Sequence, residues 1–124
     1  MKDPANPVCR TISTLLSRIG DKWTVLVVST LGEGPRRFNE LRREIPSVSQ
    51  RMLTLTLRNL ERDGLISRKV TPSIPPRVDY DLTELGRSLL KPVNALSQWA
   101  LDHVGAIHAA QARFDAAQDE AQAA

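Results

Sequence analysis

Residues 49–64 read SQRMLTLTLRNLERDG and have the pattern of one amphipathic helix. Ser49 is a suitable N-cap, and Gly64 follows Asp63 at the point where a left-handed C-terminal cap is favoured. On a helical wheel, one face collects Met52, Leu53, Thr56, Leu57 and Leu60. The opposite face collects Gln50, Arg51, Thr54, Arg58 and Arg62. The pattern predicts a helix over about 49–63 that packs through one face and presents cations on the other.

Three further helices are predicted before it. Residues 38–45 have apolar side chains spaced by three and four, and Pro46 ends the run, so a tight turn over 46–48 joins this helix to the next. Residues 8–19 form an earlier helix that Gly20 ends. Residues 22–31 form another, with Asp21 as N-cap and Gly32 after it.

A hairpin and a long helix are predicted after it. Residues 65–70 and 77–82 have strand-like composition, and the segment between them contains Pro72, Pro75 and Pro76, which cannot continue a ladder. Thr83 caps a long terminal helix, in which Pro92 predicts a kink near Ser88 or a fresh start there. The tail beyond residue 114 is expected to fray.

This order of elements predicts a mainly α fold with a small β-hairpin, namely a winged helix-turn-helix with an added C-terminal dimerisation helix. The expected organisation is a flexible N-terminal arm over 1–7 and a DNA-binding domain over 8–99. Within that domain the recognition helix spans about 49–63 and the wing about 65–82. A dimerisation helix over 83–114 and a frayed tail over 115–124 follow.

The basic residues are concentrated in one part of the 124-residue chain. Residues 36–69 contain nine basic and four acidic side chains, a local charge of +5, whereas the formal charge of the whole chain is +3. A basic band of this kind is typical of proteins that contact the phosphate backbone, because Lys and Arg displace condensed counterions. The alternative is a solvated, arginine-rich helix face.

The cationic face of the 49–63 helix suits the DNA major groove. Arg and Gln can offer paired hydrogen bonds to guanine and adenine, so Gln50, Arg51 and Thr54 are predicted to contact bases. Arg58 lies a further turn away and is predicted to contact a phosphate, and the Ser49 hydroxyl can reach a base or a phosphate. The alternative is an ordinary amphipathic surface helix.

Three other arginines are predicted to contact DNA. Arg36 and Arg37 precede the 38–45 helix, where they and the free N–H groups of its first turn can meet one phosphate. Arg77 closes the tip of the wing and can enter a narrow minor groove. The alternative for Arg36 and Arg37 is that they are loop arginines in solvent. The alternative for Arg77 is a simple charge at the end of a strand.

Several strings in order resemble the HxlR-type winged-helix regulators, over roughly residues 9–99. They are GDKWT (20–24), RFNEL (37–41), SQRMLTLTLRNLE (49–61), DGLI (63–66) and PRVDYDLT (76–83), followed by Gly86. The resemblance implies bacterial or archaeal homodimers that bind palindromic operator DNA, often beside an oxidoreductase or stress gene. Leu55 departs from it, because the family usually has a polar residue there. Leu55 therefore either packs against the turn or touches a thymine methyl.

Cys9 is the only cysteine, so any disulfide would join two chains. The family often has Cys-Pro where this chain has Cys9 and Arg10, and some members sense oxidants, quinones or aldehydes through that thiol. A helix N-terminus and a nearby cation favour a thiolate, and Cys9 stands at such a place. The alternative is a small buried hydrophobic residue.

The terminal helix has more apolar surface than one small domain can cover. The predicted dimer interface consists of Val93, Leu96, Trp99, Ala100, Val104 and Ile107. A twofold pair would place two recognition helices about 34 to 36 Å apart, which predicts an inverted-repeat DNA site. The alternative is that this helix folds back on its own core.

The residues argue against an enzyme and predict no cofactor or metal. His103 and His108 are five residues apart, about 140° around a helix, so they cannot share a metal as an i, i+4 pair can. The absence of a long apolar run and the single cysteine predict a cytoplasmic protein with no membrane contact. The sequence does not decide whether a small-molecule or electrophile effector binds. The rival function is a winged helix that only contacts proteins.

Overall fold

The computed structural model describes residues 6–123. Four helices come first along the chain. They are α1 (Pro7–Ile19), α2 (Lys22–Leu31), α3 (Phe38–Glu44) and α4 (Gln50–Arg62). Side chains cap three of them: Asn6 begins α1, Asp21 begins α2 and Ser49 begins α4. Each of these caps satisfies backbone N–H groups that the first helical turn leaves free.

Two antiparallel strands, β1 (Ile66–Thr71) and β2 (Arg77–Leu82), form the hairpin that we call the wing. Ile66 pairs with Leu82 at its base and Thr71 with Arg77 near its tip. An isolated bridge between Arg36 and Tyr80 pairs the segment before α3 with β2, with backbone N···O distances of 3.0 and 2.8 Å. The wing is therefore fastened to the chain just before α3 as well as to the end of α4.

The hydrophobic core lies between α2, α3, α4 and the base of the wing. Its buried side chains are Val27, Val28, Leu31, Leu41, Ile45, Val48, Leu53, Leu57, Leu60, Ile66 and Leu82. Because α4 contributes three of these leucines, the core fixes which side of α4 faces outward. An ion pair of 2.6 Å between Arg18 and Asp63 also joins α1 to the end of α4, and its hydrogen bond raises the pKa of Arg18.

Two glycines are required by the backbone near the wing. Gly64 has φ +77°, the left-handed conformation that ends α4 and starts the wing. Gly86 lies in the short helix α5 (Glu84–Ser88), where a Cβ atom would be 2.0 Å from the carbonyl oxygen of Leu65. The close approach of α5 to the base of the wing therefore depends on the missing side chain.

The C-terminal part of the chain has the break that Pro92 predicts near Ser88, and it differs from the prediction only in its tail. Leu89 ends α5, and a separate helix α6 (Leu90–Ala123) follows, because Pro92 has no N–H for the Ser88 carbonyl. The tail predicted to fray is helical through Ala123, a correction explained by the high helix propensity of its Ala, Gln and Glu residues. The described chain divides into two compact units, residues 6–90 and 91–123.

The predicted fold class is confirmed: the chain is mostly helical, with one two-stranded antiparallel hairpin. The bounds of α2 agree with the prediction, whereas α3 ends one residue earlier at Glu44. Helix α1 begins at Pro7, a residue that the prediction placed in the flexible arm, because proline is well suited to the first helical position. The rest of the predicted arm, residues 1–5, lies outside the described residues.

Candidate nucleic-acid interface

Helix α4 presents a polar face away from the core, as its sequence pattern predicts. Leu53, Leu57 and Leu60 are at most 2% exposed. The exposed side chains of α4 include Gln50, Arg51, Thr54, Arg58 and Arg62. The guanidinium groups on this helix are therefore turned outward, as contact with a nucleic acid requires.

The three arginines of α4 keep an uncompensated charge. Within residues 6–123, no carboxylate lies within ion-pair distance of Arg51, Arg58 or Arg62. The hydroxyls at the start of the helix have local roles: Ser49 accepts the Met52 N–H at 3.0 Å, and Thr54 donates to the Gln50 carbonyl at 2.8 Å. Both hydroxyl oxygens still have a lone pair available for an external donor.

Arg36 does not belong to this exposed basic surface, which argues against its predicted role as a phosphate ligand. Its Nε lies 2.7 Å from a Glu44 carboxylate oxygen, and Glu33 lies 3.3 Å from Nη2. The Gly34 carbonyl accepts a further bond of 2.9 Å from Nη1, and only 18% of the side chain is exposed. The hydrogen bond to Glu44 raises the pKa of Arg36. The guanidinium therefore fastens the segment before α3.

A cleft of about 470 Å³ lies between the start of α3 and the wing. Its lining residues are Arg37, Phe38, Asn39, Glu40, Arg43, Pro76, Arg77 and Val78. It brings Arg37 and Arg77 together and adds Arg43, which is not among the residues predicted from the sequence. The signal for Arg43 was present, because it lies opposite the apolar face formed by Phe38, Leu41 and Ile45.

Acidic groups partly offset the charge of this cleft. Arg77 Nε lies 3.0 Å from an Asp79 oxygen, and this hydrogen bond raises the pKa of Arg77, although 56% of the side chain stays exposed. Glu40 accepts the backbone N–H of Arg37 at 2.8 Å, so a carboxylate occupies one donor that was expected to meet a phosphate. Neither Arg37 nor Arg43 has an ion-pair partner within residues 6–123, so both are less compensated than Arg77.

Cys9 is the third residue of α1 and is partly exposed, with a free thiol. Asn6 caps the helix through a 2.8 Å bond to the Val8 N–H. The thiol is thus neither fully buried nor fully in solvent, and its role as a sensor or as a packing residue stays a prediction.

Helix α6 carries exposed apolar side chains at the positions predicted for a dimer interface. Leu96 is 64% exposed, Trp99 53%, Val104 45% and Ile107 40%, and Ala100 is also exposed. We call these five residues the apolar stripe. Val93 is the exception: it is only 5% exposed within the single chain, so the structure does not support it as an interface residue.

The two histidines of α6 have no metal-binding arrangement. The His103 ring stacks on Trp99 with a centroid distance of 4.6 Å, and its Nδ1 lies 2.7 Å from the Trp99 carbonyl oxygen. In the part of the chain that the structure describes, no group of three or more His, Cys, Asp or Glu side chains could hold a metal ion. No helix in that part is long and apolar enough to span a bilayer.

The helices, the wing and the outward cations of α4 together define a winged helix-turn-helix protein. A family model described as HxlR-like helix-turn-helix matches residues 18–108, and the chain belongs to this family. An uncharacterized HTH-type transcriptional regulator of Methanothermobacter thermautotrophicus is 50% identical over 88 residues, which are 71% of this chain and 67% of that protein. The chain is accordingly a transcriptional regulator of the winged-helix type.

Two solved structures support the same assignment. The redox regulator HypR in its reduced form superimposes with a TM-score of 0.75 at 40% identity and covers 80% of this chain and 98% of its own. Diamide-treated YodB from Bacillus subtilis gives a TM-score of 0.67 at 34% identity, over 78% of this chain and 96% of its own. Both proteins are described as regulators.

Proposed function

We propose that this chain is a homodimeric transcriptional regulator that binds an inverted-repeat operator through α4 and the wing. The observation that carries the proposal is the outward face of α4, where Arg51, Arg58 and Arg62 have no acidic partner within residues 6–123. Helix α4 has 13 residues, so it is about 20 Å long and fits a major groove about 12 Å wide.

The residues of the interface have separate roles in this proposal. Gln50, Arg51 and Thr54 contact base edges, while Arg58 and Ser49 contact the backbone. Arg37, Arg43 and Arg77 surround the cleft beside the wing and contact the flanking phosphates or the adjacent minor groove. Arg43 replaces Arg36 in this set, because the Arg36 guanidinium is already bonded to Glu44.

The apolar stripe of α6 supports the homodimer. Exposed apolar patches of this kind are unfavourable in water, and a second copy of the chain can cover them. A twofold pair would present two α4 helices about one DNA turn apart, which is why the operator should be an inverted repeat.

The proposal is tested by DNA affinity measured at several salt concentrations. Wild-type protein is titrated against a duplex selected from a random pool and against a scrambled duplex. Affinity should fall steeply with salt, and Arg51→Ala should remove most of the preference for the selected duplex, since a bidentate base contact gives about 1–3 kcal/mol of discrimination. Arg113→Ala on α6 is the control for loss of one positive charge. If DNA affinity changes neither with salt concentration nor on Arg51→Ala, the result would instead support a protein-interaction module.

We further propose that Cys9 makes DNA binding responsive to oxidants. The support is its partly exposed thiol near the start of α1, together with the descriptions of HypR as a redox regulator and of YodB as diamide-treated. Because the chain has one cysteine, a disulfide would join two chains: two thiols lose two electrons and two protons to diamide, which is reduced.

This response is tested by treating the protein with diamide and measuring both operator affinity and covalent dimers on non-reducing gels. Wild-type protein should change its affinity and form a linked dimer that dithiothreitol reverses, whereas Cys9→Ser should do neither. An unchanged affinity in wild-type protein, or an equal response in Cys9→Ser, would remove Cys9 from the mechanism.

A further inference from the structure

Leu55 is an apolar side chain on the exposed face of α4. It is 51% exposed, and it is absent from the apolar side chains that pack against the core. At 100° per residue, Leu55 lies about 40° around the helix axis from Arg51 and about 20° from Arg62. It therefore shares the direction of the unpaired arginines and does not pack against the turn before α4.

Leu55 borders two open clefts within one chain. It lines a cleft of about 480 Å³ with Arg58, Asn59, Glu61 and Arg62. A second cleft of about 550 Å³ places it beside residues of α1 and α2, including Thr14, Ser17 and Thr24. Met52 also lines the second cleft, but Leu55 is still 51% exposed, so about half of its surface remains in water in the free chain.

We propose that Leu55 selects the operator sequence by contacting the C5-methyl group of a thymine in the major groove. This inference rests on the proposed function and names one source of its sequence specificity. Residues at i−4 and i+3 are neighbours on a helix surface, so Arg51 and Arg58 flank Leu55. Charge complementarity draws both arginines to DNA, and Leu55 between them then enters the groove, where the thymine methyl is the apolar group available.

The effect expected from this contact is modest and specific. Removing one buried methyl group lowers affinity by about fourfold at a single contact. An inverted repeat has the contact twice, so removing both methyl groups should lower affinity about fourfold more. Arginine contacts to guanine and to phosphate should be unaffected by the change.

The experiment replaces each thymine of the selected operator by deoxyuridine, which lacks the methyl group, and measures Kd by fluorescence anisotropy. Wild-type protein should bind more weakly when one symmetry-related pair of thymines is replaced. Leu55→Ala should bind the dT and dU duplexes equally, with an unchanged salt dependence. Leu85→Ala, which removes a comparably exposed leucine (57%) from α5, should retain the wild-type preference for dT.

The outcomes separate this inference from the proposed function. If the protein prefers its operator, but every dU replacement has the same effect on wild-type protein and on Leu55→Ala, the thymine contact is wrong and the regulator assignment stands. The same holds if Leu55→Ala lowers the affinity for dT and dU duplexes by the same factor and so keeps the wild-type preference for dT, since Leu55 then acts through a second copy or another ligand. If no duplex is preferred over a scrambled one, both proposals fail.

Discussion

Arg36 precedes α3 and Arg43 lies in its last turn; they carry the same charge, but their surroundings differ. Arg36 is held by Glu44 at 2.7 Å and by the Gly34 carbonyl at 2.9 Å. Arg43 is exposed and lines the cleft beside the wing. The sequence predicts Arg36 as a phosphate ligand and makes no prediction for Arg43, whereas the observed partners favour Arg43.

Arg43→Ala should weaken DNA binding without affecting the fold. Removing one arginine–phosphate interaction should reduce the magnitude of the slope of log affinity against log salt by about 1, and by about 2 for a dimer. The slope is measured by anisotropy titrations over a range of salt concentrations. An unchanged slope would show that Arg43 does not contact the backbone.

Arg36→Ala is the matched variant and should show the opposite behaviour. It removes the partner of Glu44 and of two backbone carbonyls, so thermal unfolding should occur at a lower temperature. At temperatures where the variant is folded, its salt slope should equal that of wild-type protein. A slope reduced as in Arg43→Ala would restore Arg36 as a phosphate ligand.

At the scale of elements, the wing depends on the close approach of α5 to its base. The Thr83 hydroxyl donates to the Gly64 carbonyl, and the Thr83 N–H donates to the Leu65 carbonyl at 3.0 Å. Gly86 lies directly against the same Leu65 carbonyl. The orientation of the wing relative to α4 is thus set by a small group of backbone contacts.

Gly86→Ala should destabilise the protein strongly. An added Cβ would stand 2.0 Å from the Leu65 oxygen, and backbone atoms cannot move aside cheaply, so we expect a loss of about 3 kcal/mol. Gly105→Ala is the control: nothing lies within 4 Å of its added Cβ, and alanine should favour α6 by up to about 1 kcal/mol. Urea unfolding of the two variants measures the difference. Equal stabilities would contradict the close contact at Gly86.

The elements themselves were predictable because each depends on local signals. Asp21 and Ser49 cap helices as their positions predict, and Gly64 ends α4 with a positive φ. The rest depends on contacts between residues distant in sequence. No local pattern indicates that Glu44 binds Arg36, that Arg43 joins Arg37 and Arg77, or that Val93 is buried within the chain.

At the scale of the whole molecule, the apolar stripe of α6 is the surface on which dimerisation depends. Ile107→Asp places a charge on this stripe, and a buried unpaired charge is costly, so the variant should be monomeric. Leu101→Asp is the control, because Leu101 is 71% exposed and lies off the stripe. Sedimentation velocity measures both. A dimer that survives Ile107→Asp, or is disrupted only by Leu101→Asp, would place the interface elsewhere.

Hydroxyl-radical footprinting of the selected operator tests most directly whether two copies of α4 bind DNA through their outward arginines. Wild-type protein should protect two symmetric patches about 10 base pairs apart, and Arg51→Ala should lose both patches together. A single asymmetric patch would contradict the symmetric pair. Full protection by Arg51→Ala would contradict recognition through α4.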